Sequence, residues 1–205
     1  MKKYFTLIIG LLISVNGFAQ DGNWKTATLK DGKVNVKSKI VTQKVNNKEK
    51  NVFYYVVETV VDVNLGKAET FMRNSANYKK FLENMGATSE LKKISANAWL
   101  TYIYFDNSWP VSDNDCVQKF EFVKTNNGFY ISGKAAPTEF EVKKVERINL
   151  YDVVYKFEQI ADKKIKVSID AVFSPTGAIP KVLMNSWLPN GPERIISRLV
   201  ESISK

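Results

Sequence analysis

Asn114, Cys116, Gln118, Phe120 and Phe122 recur at every second position, the spacing that puts five side chains on one face of a β-strand. Val117, Lys119, Glu121 and Val123 fall on the other face. The first face is aromatic and apolar, with Gln118 as its strong hydrogen-bonding group, so it is expected to point inward. Residues of this kind can hold a molecule but have little means of breaking one. The chain of 205 residues contains no histidine, which removes the Ser-His-Asp and Cys-His nucleophile systems and the commonest zinc ligand. Acid/base chemistry would then rest on Asp, Glu, Lys or Tyr. The long apolar segment 52–63 carries only Glu58 and Asp62, and both fit its solvated side. Cys116 is the single cysteine. It can form no intramolecular disulfide and reads as a small buried hydrophobe. No catalytic residue, metal ligand set or cofactor is expected.

The elements that would position this face are mostly strands. Asp31-Gly32 marks a turn, with Val34 and Val36 alternating after it. Segment 52–63 (VFYYVVETVVDV) is β-branched and aromatic and ends at Asn64-Leu65-Gly66. Ala68, Phe71 and Met72, then Tyr78, Phe81 and Leu82, recur at helical spacing. Two short helices are expected there, with Ser75 capping the second. Candidate strands follow at 91–94, 98–105, 115–124, 128–134, 140–145, 150–157 and 165–173, with Asn127-Gly128 as a hairpin signal. Tyr151, Val153, Tyr155 and Phe157 alternate with more polar neighbours, as in a half-buried antiparallel strand. After Ser174-Pro175-Thr176-Gly177, Pro180 suits a helix start. Val182, Leu183 and Trp187 lie on the apolar side of that helix. Pro189 and Pro192 should kink it before Ile195, Ile196, Leu199 and Val200 continue as an apolar stripe. A continuous antiparallel sheet with a terminal helix is an α+β arrangement in which each buries one face against the other.

The first residues carry the three parts of a signal peptide: Lys2 and Lys3, an apolar run over 4–15, and small residues at Gly17 and Ala19. Cleavage near Ala19 is expected, leaving 20–205 as one exported domain, periplasmic or secreted. The whole chain has 30 basic and 21 acidic residues, a formal net charge of +9. The basic residues are scattered, so nucleic acid is not an expected partner. Transient attraction to an anionic membrane surface is.

Ser108-Trp109-Pro110-Val111-Ser112-Asp113-Asn114-Asp115 resembles the START-domain motif that in full reads Pro-Trp-Pro-Val-Ser-Asp-Arg-Asp. Ser174 to Pro180, followed by Asn185, resembles that family's Gly-x-x-Pro turn and the Asn of the helix it opens. Trp24, Asp31-Gly32, Val34 and Val36 are similar to the family's opening strand pair, and 63–81 to its first helical pair. The resemblance spans the chain in order. It implies a helix-grip (START / Bet v 1-like) fold, a curved antiparallel sheet wrapped around a long C-terminal helix, enclosing a cavity for a lipid, a sterol or another hydrophobic small molecule. On that implication the cavity lining includes Asn114, Cys116, Gln118, Phe120, Phe122, Tyr151, Val153, Tyr155, Val182, Leu183 and Trp187, and the protein is a monomeric, non-catalytic carrier. In several lipid-transfer members charged groups anchor the ligand's polar end. Here Asn114 stands where the motif has Arg and Ser108 where it begins with Pro, which points to a neutral polar anchor or purely apolar contacts. A polyketide cyclase-like enzyme of the same superfamily and a pocketless protein-interaction module are the alternatives.

Overall fold

A computed structural model describes residues 23–108, 111–177, 179 and 181–205. The proposed signal peptide, Trp109 and Pro110 lie outside the described residues. Among the described residues ten strands form one sheet: β1 (Lys25–Leu29), β2 (Val34–Val45), β3 (Lys48–Val61), β4 (Met85–Ser95), β5 (Ala98–Phe105), β6 (Asn114–Thr125), β7 (Gly128–Ala135), β8 (Glu146–Arg147), β9 (Tyr151–Ala161) and β10 (Lys164–Phe173). Their order is β1-β2-β3-β10-β9-β7-β6-β5-β4 and every pairing along it is antiparallel. The short β8 runs parallel to β6 off this path. Between β3 and β4 lie helix α1 (Leu65–Met72) and a 3-10 turn, Ser75–Lys80. The chain ends in α2 (Lys181–Trp187) and α3 (Asn190–Ser204).

Local chemistry accounts for these boundaries. Asn46 and Asn47 adopt positive φ, 48° and 63°, and turn β2 into β3 in two residues. That hairpin lengthens both strands beyond what the apolar pattern marked. Asn64 caps α1 by accepting from the backbone N–H groups of Gly66 and Lys67, at 2.8 and 3.3 Å. The cap of the next segment is Asn74, which accepts from the Ala76 N–H, with Ser75 one residue inside. The expected second helix is a 3-10 turn.

The Asn127-Gly128 signal marks a real hairpin, but glycine serves a different purpose there. Asn126 and Asn127 form the two-residue loop and Gly128 pairs with Thr125 as the first residue of β7. A Cβ on Gly128 would sit 1.9 Å from the Phe157 carbonyl oxygen of β9, so it is close approach of the backbone that demands glycine.

The strand expected over 140–145 does not form. The backbone carbonyls of Pro137, Phe140 and Glu141 instead accept from the Arg147 guanidinium, at 2.7–2.9 Å. Its remaining N–H groups make a bidentate pair with Asp115, both contacts 2.8 Å. The segment therefore folds into a flap on the outer face of β6. It buries Asp115 and Val117, which strand alternation alone would leave in water.

On the inner face the sheet wraps around α3, whose buried residues Ile195, Ile196, Leu199 and Ile203 pack toward β2, β3 and β10. The terminal helix breaks where a kink was expected, at Leu188-Pro189, into α2 and α3. Aromatic rings fill the end of the sheet under α1 and the 3-10 turn. Tyr78 meets Phe81, Phe120 and Tyr155, Trp99 stacks on Phe120, and Phe129 lies between Phe122 and Phe157. The other end, under α2, is hollow.

Candidate ligand cavity

The hollow has a volume of about 250 Å³. Its aromatic walls come chiefly from Phe53 and Tyr55 of β3, Tyr151 of β9 and Phe173 of β10. Trp187 of α2 closes it from above. Its ring meets Phe53, Tyr55 and Phe173 edge-on with centroids 5.5–5.8 Å apart, and Phe53 stacks on Phe173 at 4.8 Å. Leu82, Phe105, Met184, Ile179 and Ile195 add apolar surface, while Asn84, Asn107 and the half-exposed Leu183 lie toward the mouth. Such an arrangement can hold an apolar molecule by burying its surface, at about 25 cal/mol per Å².

Trp187 is held in place by an ion pair that sequence spacing could not reveal. Its indole N–H donates to Glu83 at 3.1 Å. The Arg194 guanidinium of α3 donates to the same carboxylate from Nε at 2.5 Å and from a terminal nitrogen at 3.1 Å. Glu83 thus ties α2 and α3 to the segment before β4. Burial pushes its carboxyl pKa up, but the hydrogen bonds from Arg194 and Trp187 and the charges of Arg194 and Arg198 outweigh that and hold it below its ordinary value of 4.5. A carboxylate whose folded-state pKa is lowered stabilises the fold above the unfolded value and loses that contribution as pH falls through the folded value. The tie should therefore hold from neutral pH to about 4.5 and weaken below it. The part of the tryptophan emission that Trp187→Phe removes should stay constant down to that point and shift in more acid solution. In Glu83→Gln the shift should already be present at neutral pH. An acid transition unchanged in Glu83→Gln would assign it to another group.

Asp113, Asn114, Asp115 and Asn185 of the motifs have distinct surroundings. Asp113 accepts from the Tyr104 hydroxyl at 2.5 Å and from the Asn107 N–H at 2.9 Å, which pins the loop between β5 and β6. The Tyr104 pKa is pushed up to about 12, first by that hydrogen bond. Asn114 lines the cavity, and Asp115 turns outward to Arg147. Asn185 faces a second hollow, of mixed polar and apolar lining, beside Ser38, Lys39 and Asn51.

Of the residues expected to line the cavity, Asn114, Tyr151, Leu183 and Trp187 come together around it. Cys116, Gln118, Phe120, Phe122, Val153 and Tyr155 share the buried inner face but lie deeper, in packed core. Gln118 spans the end of β7 and donates to the Tyr151 carbonyl at 2.7 Å. Burial pushes the Cys116 thiol pKa up, so it stays protonated. Val182 points away from the cavity and is 78% exposed. Sequence reasoning passed over Phe53, Tyr55, Phe173, Glu83 and Arg194. Phe53, Tyr55 and Val57 alternate, which is a readable signal. Glu83 and Arg194 are separated by 111 positions, and nothing in the spacing links them.

No protein-family model and no curated protein matches the sequence. Solved structures do match the fold. A STAR-related lipid transfer protein from Xanthomonas axonopodis (fragment 25–204) superposes with a TM-score of 0.72 at 20% identity, over 89% of this chain and 99% of that one. Human STARD10 gives 0.72 at 16% identity, over 89% and 73%. An aromatase/cyclase from Streptomyces is more distant, with a TM-score of 0.54 at 7% identity over 74% and 91%. The chain has the helix-grip fold of the START-type domains, as its ordered motifs indicated.

Proposed function

We propose that this chain is a non-catalytic carrier that takes up a hydrophobic small molecule in the cavity beneath Trp187. The observation that carries the reading is the aromatic hollow itself, between the inner face of the sheet and α2; it also disfavours a pocketless interaction module. Its likeness in fold to proteins titled as lipid transfer proteins supports the same reading. Exposing an alkyl chain to water costs about 0.8 kcal/mol per CH₂, and an apolar enclosure offsets that during transit. The signal-peptide pattern supports export to the periplasm or beyond, with Gln20 as the mature N-terminus. N-terminal sequencing of the exported protein should start there, and a chain retained in the cytosol with Met1 in place would contradict export. The excess of lysine, together with the exposed Val182 and half-exposed Leu183 on α2, favours transient contact with an anionic membrane. The protein is proposed to work as a monomer and without nucleic acid.

The cavity chemistry suits holding better than reacting. Glu83, the carboxylate on its wall, is committed to Arg194 and Trp187, and a lowered pKa makes it a weaker base. Burial pushes the Tyr55 and Tyr151 hydroxyls up, which makes them poor acids. The shared fold of the Streptomyces aromatase/cyclase keeps an enzymatic alternative, which turnover of an aromatic polyketide would reveal.

Purified protein should release an apolar compound into organic solvent, detectable by mass spectrometry at up to one per chain. Leu183→Trp, which adds an indole at the mouth without disturbing the buried core, should release much less. Absence of any compound, together with no thermal shift on adding lipids, would defeat the carrier reading.

A further inference from the structure

We infer that the ligand is a compact, uncharged ring compound carrying a hydroxyl group, and that its hydroxyl end lies against Asn114. This rests on the carrier reading and narrows it to a chemical class.

Size is the first argument. A dry cavity of about 150 Å³ accommodates benzene, and pockets for drug-sized molecules run from about 300 Å³ upward. At about 250 Å³ this cavity falls between the two. Two or three fused rings fit that range, whereas a diacyl lipid or a four-ring sterol with its tail does not. Shape is the second. Phe53, Tyr55, Tyr151, Phe173 and Trp187 supply flat faces and edges on several sides, which favour a flat guest over a branched chain.

The polar groups define the rest. Glu83 is already neutralised by Arg194, so the wall offers no free charge for a cationic or anionic head group. Asn114 lines the cavity and is 95% buried. Its amide N–H donates to the Ser112 carbonyl at 3.3 Å, which fixes which end of the amide is which. Its side-chain oxygen is buried and finds no hydrogen-bond partner among the described residues. A buried acceptor left unpaired is costly, and a ligand O–H would supply the missing donor. A second buried atom without such a partner, the Thr101 hydroxyl, lies on the same inner face one strand over. Thr101 pairs with Gln118, two inward-facing positions along β6 from Asn114. Thr101, like the similarly unpartnered Thr88 and Trp99, lies away from the cavity lining, so among the described residues Asn114 is the cavity-lining side chain whose buried acceptor awaits a donor.

The test uses the mature chain and three probes of nearly equal bulk: 2-naphthol, 2-methoxynaphthalene and naphthalene, titrated calorimetrically. 2-Naphthol should bind about tenfold more tightly than its methyl ether, a difference of ~1.4 kcal/mol. In Asn114→Leu, with its melting temperature checked, that preference should collapse to about unity while naphthalene binding is kept. If Asn114→Leu does not fold, Asn114→Ser, which shortens the side chain out of reach, takes its place. Equal affinity for the alcohol and the ether in the wild type would overturn the polar contact and leave the apolar cavity standing. A preference that survives in the variant would overturn the assignment to Asn114. Uptake of phosphatidylcholine or cholesterol from vesicles with no binding of the naphthalenes would overturn the compact class but keep the carrier. If neither the naphthalenes nor the vesicle lipids bind, the carrier reading itself fails.

Discussion

Replacing Arg147 with Met should lower stability by about 3–5 kcal/mol, the range for removing one partner of a buried pair. Both partners are buried, with side-chain exposures of 6% for Arg147 and 0% for Asp115. The loss would leave the Asp115 carboxylate out of water without its counter-charge. It would also strip the carbonyls of Pro137, Phe140 and Glu141 of their donor. For a chain of this size the melting temperature should fall on the order of 10 °C. The double variant Asp115→Leu, Arg147→Met should recover much of that, because an apolar pair of similar volume avoids the stranded charge. A single variant that melts within about 2 °C of the wild type would show that the flap contributes little. Since Asn114 adjoins Asp115, a loosened flap should also weaken ligand binding.

Gly191→Ala should disrupt the cavity despite being a favourable change for a helix. A Cβ at that position would lie 2.0 Å from the Trp187 ring, so the indole must leave its place. Moving it breaks the contacts with Phe53, Tyr55 and Phe173 and the hydrogen bond to Glu83. Overpacking of this kind costs about 1–3 kcal/mol, set against the roughly 1 kcal/mol by which Ala is preferred to Gly in a helix. The larger effect is on uptake, because the roof of the cavity is displaced. In a Trp187→Ala background the clash is gone, and Gly191→Ala should become neutral or stabilising. Chemical denaturation of the four proteins in this cycle measures the coupling. Additive effects would place the strain elsewhere.

The two variants probe the parts of the molecule that differed most in how readable they were. Strands with inward alternation, such as 151–157, and the order of elements could be read because burial imposes a period of two on one chain segment. Asn114 and Tyr151 reached the cavity for that reason, and Leu183 and Trp187 because they lie on the apolar side of a helix. The deeper residues of β6 share the same period, but the aromatic packing under α1 fills their end of the sheet, and alternation does not say where along a strand the filling stops. The flap over 136–147 was misread because an apolar, β-prone stretch also suits a loop whose carbonyls have been recruited by an arginine. Glu83 and Arg194 left no local trace at all, since their pairing exists only once the segment before β4 and α3 have been brought together.

A crystal structure of the mature protein soaked with 2-naphthol tests the account at its centre. Electron density for the ring system should lie between Tyr151, Phe173 and Trp187, with the hydroxyl oxygen within hydrogen-bond distance of the Asn114 side-chain oxygen. Density confined to the second hollow beside Lys39, or a cavity filled by the Trp187 ring itself, would contradict it.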